Sequence, residues 1–217
     1  LSSLSGVEGL TSVEGLLNIS FNNSITNLDG LEGLGTVGDD FSIHSNASLT
    51  NLSGLEGLAT INGTLYISYS SSLTDITALS GLSTFGGSLS IRNNDLLANL
   101  SGLENITTIN NFLRIDSNPS LTDLSALSNL QSVGTTLLIE SNSALTNLAG
   151  LEGLTTVGFS LGIESNDALT SLAGLDNLTT IGDRLTIESN ASLLDISALE
   201  NLQSIGYSVY ILSNSAL

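Results

Sequence analysis

The chain has no cysteine, no lysine and a single histidine, and its only cations are three arginines set against 21 carboxylates. Without cysteine there can be no disulfide, no thiolate metal ligand and no thiol nucleophile. A formal net charge of −18 leaves too few cations for a nucleic-acid backbone or an anionic lipid surface, so neither is expected as a partner. No apolar run approaches the roughly 18 residues of a membrane-spanning helix. The chain opens at Leu1 without a methionine or a signal peptide, and it reads as a processed protein or a part of a longer one. Strongly acidic chains with few aromatics are often disordered. Here 41% of the residues are hydrophobic, which is enough to build a core.

What is present is a repeat. Laid out in rows of 24, the 217 residues fill nine rows with one residue over and need no gap. Rows begin at Leu1, Ile25, Leu49, Leu73, Leu97, Leu121, Leu145, Leu169 and Leu193. Row positions 1, 4, 7, 10, 13, 17 and 19 are apolar throughout, and position 19 is always isoleucine. Position 22 is asparagine in every row except the third, where Ser70 replaces it. Position 6 is only glycine or alanine, and position 12 only serine or threonine.

The alternation at positions 17 and 19, with a β-branched isoleucine, predicts a short strand. A period of three over positions 1–13 suits neither an α-helix nor a strand. It is the turn of a 3₁₀ segment or of a coil bent round a core, and true 3₁₀-helices seldom exceed three or four residues. The chain is therefore expected to wind once per row with an apolar residue inward at each step. Coils stacked at the ~4.8 Å strand spacing would build a rod on the order of 40 Å long. Each coil would bury its faces on its neighbours, so the stack stands only as a whole. The asparagines would form a buried ladder at the bend after the strand.

The stretch "GTLYISYSS" has the form L-x-I-x-x-N/S, and the unit "LTNLSGLEGLATINGTLYISYSSS" resembles the repeats of receptor L domains, a leucine-rich-repeat-like solenoid family. It is also similar to repeats of lipid-anchored fungal cell-wall proteins and of Bacteroidota surface proteins. The resemblance covers the whole chain and implies a right-handed solenoid with short parallel sheets, found outside the cell and used for binding or adhesion. The chain departs from receptor L domains in its lack of cysteine, its nine even coils and the absence of a capping helix. The expectation is thus an all-β, right-handed β-solenoid of nine 24-residue coils, one continuous unit over residues 1–217. The bare core layers at Leu1 and Leu217 call for flanking sequence, or for assembly with further copies, end to end or side by side.

Candidate chemistry lies where rows differ. Positions 15, 16, 18, 20 and 21 vary, and all three arginines, all four tyrosines and the histidine fall within that stretch. Positions 16, 18 and 20 alternate with the inward strand residues, so they point outward from the sheet. Tyrosine and arginine are enriched at binding hot spots. The candidate ligand-binding face is His44, Tyr66, Tyr69, Arg92, Phe112, Arg114, Arg184 and Tyr210. Arg92 and Arg114 could clamp a carboxylate, and the tyrosines could stack on sugar or pack on protein. The alternative is drift on a permissive solvent face.

Position 20 carries Asp116, Glu140, Glu164 and Glu188 in successive rows. They read either as a calcium ladder, since calcium takes six to eight oxygen ligands, or as a solvated acidic face. A second acidic row at position 8, from Glu8 to Glu200, has the same two readings. Catalysis is poorly supplied: any Ser-His-Asp arrangement would have to use His44. The expected function is a non-enzymatic, secreted or cell-surface binding or adhesion module for a glycan or protein, with no cofactor other than calcium. The alternative is an ice-binding solenoid using the file Thr36, Thr60, Thr84, Thr108, Thr156 and Thr180 at position 12. Against it stand the mixed neighbours at position 11 and the ordinary use of such hydroxyls to close hydrogen bonds at a bend. A polysaccharide-cleaving enzyme is a third reading.

Overall fold

An isoleucine every 24 residues, each flanked by an apolar residue two positions earlier, forces the same register on every coil: any slip would turn the buried face outward. The computed structural model describes residues 1–217, the side chain of Thr84 excepted, and shows that register throughout. Coil 1 is residues 1–24 and coil 9 residues 193–216. Nine parallel strands, from Leu17–Ser20 in coil 1 to Ser208–Leu212 in coil 9, form one sheet in coil order. Isoleucine meets isoleucine across it, from Ile19 opposite Ile43 to Ile187 opposite Ile211. The protein is an all-β solenoid.

A second row of two-residue strands sits at positions 12 and 13. It is not continuous: coils 1–4 form one sheet, from Ser12–Val13 to Thr84–Phe85, and coils 5–9 another, from Thr108–Ile109 to Ser204–Ile205. Between coils 4 and 5 the Asn110 side-chain amide donates to the carbonyls of Phe85 and Gly86 at 3.4 and 3.3 Å.

In coils 2–8 every one of the seven apolar row positions is buried, and together they form one core. The end coils are open: Val209 and Ile211, the inward residues of the last strand, are 50% and 43% exposed. No helix among the described residues is long and apolar enough to cross a membrane.

Positions 1–13 are irregular in most coils, as the glycines imply, but three coils carry short 3₁₀ turns at Thr77–Gly81, Ser125–Leu127 and Ser197–Leu199. These are the three coils with alanine at position 6. In the other six that residue is a glycine with φ between +102° and +112°, a conformation L side chains rarely adopt.

The asparagine ladder forms as expected. Asn142 accepts from the Asn118 backbone N–H at 3.1 Å and donates to the Ile115 carbonyl, one coil back, at 2.9 Å. Asn94, Asn118, Asn166 and Asn190 repeat this pattern and all are fully buried. In the third coil the ladder skips a rung, and the Ser70 hydroxyl is buried without a partner. Just before the ladder, position 21 adopts left-handed backbone in all nine coils with φ between 54° and 60°, although none of the nine is glycine.

Candidate functional site

The outward face of the nine-stranded sheet alternates with the core along each strand: Phe41 and Ile43 are buried, Ser42 and His44 only partly. On that face, across coils 2–6, lies a groove of about 510 Å³. Ser42 and His44 line it from coil 2, Tyr66 and Ser68 from coil 3, Ser90 and Arg92 from coil 4. Phe112 and Arg114 contribute from coil 5, and Thr135, Thr136 and Leu138 from coil 6. Register explains its shape. Tyr66, Ser90 and Arg114 are cross-strand neighbours, so one small residue separates two large ones. Two strand spacings, ~9.6 Å, then hold Tyr66 and Arg114 apart above a serine. Ser68 and Ser90 are only 6% and 3% exposed although they sit on the outer face, because larger neighbours stand over them.

Arg114 is held in place. Its Nε and Nη2 donate to Asp116 Oδ2 at 3.2 and 2.8 Å, and Nη2 lies 3.5 Å from Glu140 Oε2. The Ser117 hydroxyl donates to the other oxygen of Asp116 at 2.7 Å. Arg92 is differently placed: its guanidinium lies 5.3 Å from the Tyr69 ring centre and donates to the Tyr69 hydroxyl at 3.2 Å. Arg114 is the only arginine among the described residues with a carboxylate within 4.0 Å.

Beside the groove runs an aromatic rim. His44 meets Phe21 and Tyr69 edge-on, with ring centres 5.4 and 5.2 Å apart, and its Nδ1 lies 2.9 Å from the Ser68 hydroxyl. Phe21 and Tyr69 are the only aromatic residues at the left-handed position 21, which is otherwise serine or asparagine. A left-handed L-residue costs roughly 1–2 kcal/mol. The serine–histidine pair has no carboxylate hydrogen-bonded to His44 among the described residues, so no triad is assembled.

Of the eight residues expected on this face, His44, Tyr66, Arg92, Phe112 and Arg114 line the groove and Tyr69 supports its rim. Arg184 and Tyr210 lie apart, near the far end, where the Arg184 guanidinium stacks 5.4 Å from the Tyr210 ring. Sequence reasoning missed the floor, Ser68 and Ser90. Its signal was small residues between large ones at positions 18 and 20 of consecutive rows.

The residues of the expected calcium ladder stand on successive strands. Asp116, Glu140, Glu164 and Glu188 do face one another in register. Asp116 is spent on Arg114 and Ser117, and no three acidic or histidine side chains among the described residues form a metal-sized group. Burial first, then repulsion from Glu140 and Glu188, raises the Glu164 pKa above the usual carboxylate value. The acidic row at position 8 has another job: Glu32, Glu56, Glu104 and Glu152 each accept from the backbone N–H of the glycine two residues before.

Along the position-12 file, Thr36, Thr60, Thr156 and Thr180 are partly exposed and Thr108 exposed, while the side chain of Thr84 lies outside the described residues. Hydroxyl-to-carbonyl bonds of the expected kind are made at positions 2 and 11, where Thr50, Thr74, Thr155, Thr170 and Thr179 each donate to the carbonyl one coil back.

In-register parallel sheets, an asparagine ladder and a grooved outer sheet face define a repeat solenoid, similar to receptor L-domain repeats. The family model of the Receptor L domain matches residues 81–155, about a third of the chain, and suggests a ligand-binding repeat module. That stretch holds Ser90, Arg92, Phe112, Arg114, Thr135, Thr136 and Leu138 of the groove. No curated protein matches the chain.

Proposed function

We propose that the protein is a non-enzymatic extracellular binding or adhesion module that takes a glycan or protein ligand in the groove of coils 2–6. The observation that carries this reading is the gathering, in one groove, of two of the chain's three arginines, its only histidine and two aromatic side chains. The aromatic rim of Phe21, His44 and Tyr69 beside the groove supports it, since aromatic side chains are enriched at binding hot spots. A mixed glycan and protein array, probed with the wild type and with Arg114→Ala and Tyr66→Ala, tests it. Each variant is expected to lose at least tenfold in binding. Unchanged binding in both removes this face from consideration.

One observation favours ice binding as a second reading: the hydroxyls of Thr36, Thr60, Thr156 and Thr180 stand in register along the short strands. The break of that sheet between coils 4 and 5 interrupts the file. Thermal hysteresis that disappears in Thr156→Tyr would support it; none at millimolar protein rejects it.

A further inference from the structure

The groove differs in charge from the rest of the surface. Its lining includes Arg92, Arg114 and His44 and no carboxylate, in a chain with 21 of them. Two other concavities are acidic, one lined by Glu56 and Asp75, the other by Glu8, Asp29 and Glu32. Exposed charges are screened beyond ~8 Å at physiological ionic strength. Asp116 and Glu140 lie against Arg114 within that range and offset it, so the positive charge left for a bound anion is that of Arg92.

The two arginines are not equivalent. Asp116 and Glu140 already hold Arg114 by Nε and Nη2, which makes it a fixed wall. Arg92 is positioned by the ring and hydroxyl of Tyr69, neither of which neutralises it. The carboxylate opposite it across the strands, Asp116, has one oxygen on Arg114 and the other on Ser117. A guanidinium fork with free donors matches a carboxylate bidentately.

The remaining lining suits a carbohydrate better than a peptide. Ser42 and Ser90 offer hydroxyls that both donate and accept, the Ser68 hydroxyl being paired with His44, and the rings of Tyr66 and Phe112 offer apolar faces. The strands' backbone N–H and C=O groups are already paired across the sheet, so on this face an extended peptide finds no free strand edge to join. About 510 Å³ falls within the ~300–1,000 Å³ of small-ligand sites and accommodates a short saccharide segment.

Building on the binding reading above, we infer that the groove recognises a carboxylate-bearing saccharide. Arg92 takes the carboxylate, Tyr66 and Phe112 flank the sugar ring, and the serine floor meets its hydroxyls.

Calorimetric titration of the full chain at pH 7 tests this, with trisaccharides of galacturonic, glucuronic and mannuronic acid, their neutral hexose counterparts, and a triglutamate peptide. At least one acidic trisaccharide is expected to bind tenfold or more tightly than its neutral counterpart. Arg92→Gln should abolish that difference, while Tyr66→Ala should weaken the binding of acidic and neutral sugars alike. Circular dichroism melts confirm that each variant is folded. Equal affinity for neutral and acidic sugars, a preference that survives Arg92→Gln, stronger binding of the peptide, or no binding of any acidic trisaccharide at millimolar concentration each overturns the inference. The array in the preceding section decides separately whether the groove binds anything at all. A protein or neutral-glycan hit lost in Tyr66→Ala would leave the binding reading standing while this inference falls.

Discussion

Six coils turn at a glycine and three at an alanine, yet all nine share one period. In the glycine coils the residue at position 6 has φ above +100°, and its N–H points at a carboxylate two residues on, as Gly150 does toward Glu152 at 2.9 Å. In the alanine coils an aspartate at position 3 accepts from the backbone of position 5, as Asp123 does from Ser125 at 2.7 Å. There the turn tightens into a 3₁₀ segment. The difference teaches that the solenoid specifies where the chain must be after each coil, and leaves open how the corner is made. Two local hydrogen-bond schemes satisfy the same start and end points, each with its own acidic residue.

The sharpest way to break the comparison is to force alanine into a glycine corner. At Gly174, with φ +111°, a Cβ would overlap the Leu148 carbonyl of the coil below. Strain and overpacking together should cost Gly174→Ala about 3–5 kcal/mol, read as a lowered urea midpoint. A Gly174→Ala variant as stable as the wild type would show that the two corners interconvert freely.

A control removes a feature common to both kinds of coil. Asn142→Ala in an alanine coil and Asn166→Ala in a glycine coil each leave buried backbone groups unpaired in the same pattern. Both should lose about 2–4 kcal/mol, equal within error. A clear inequality would mean that the corner type reaches the ladder. Ser70→Asn, which adds the missing rung, should raise the midpoint.

Rebuilding a whole corner is the finer test. Coil 2 has glycine coils on both sides, as coils 4 and 6 do. At Gly30 a Cβ would lie 2.7 Å from the Leu4 carbonyl oxygen, so Gly30→Ala alone should destabilise. Adding Asn27→Asp and Asp29→Ser supplies the alanine-corner residues and should recover at least half of the lost midpoint. No recovery would show that the aspartate scheme does not define the second corner.

The smallest effect is in pH. Backbone N–H donation from Gly6 lowers the Glu8 pKa, and hydrogen bonds from Ser197, chiefly from its hydroxyl, lower that of Asp195. Each group's stabilisation is present above the ordinary carboxylate value and lost as pH falls through the lowered one. Both corner types should therefore weaken in acid. Glu164 works in the opposite sense, because its folded-state pKa is raised. Its penalty is absent below the ordinary value and appears as pH rises through the raised one. Glu164→Gln should raise the melting temperature at pH 7, and the gain should vanish below the usual carboxylate range. A gain that persists there would assign the effect to packing.

Much of this was legible in the 24-residue period. Strict recurrence of isoleucine at position 19 and asparagine at position 22 leaves one register, because a slip would bury polar groups and expose apolar ones. The seven inward positions, the parallel strands and the ladder follow from that alone. So did the outward direction of Tyr66, Arg92 and Arg114, since side chains alternate along a strand. Other features depend on atoms 24 residues apart meeting in space. Only the folded chain shows that Arg114 is tied to Asp116 and Glu140 while Arg92 rests on Tyr69. The pairing of Asp116 with Arg114 and Ser117 was hidden for the same reason: sequence places a carboxylate on a coil, but its rotamer and its partners are chosen by its neighbours. The left-handed backbone at position 21 was equally hidden, because serine, asparagine, tyrosine and phenylalanine share no sequence signature for it. The return of each coil over the one beneath imposes that angle, and the stacking energy of the whole sheet sustains it.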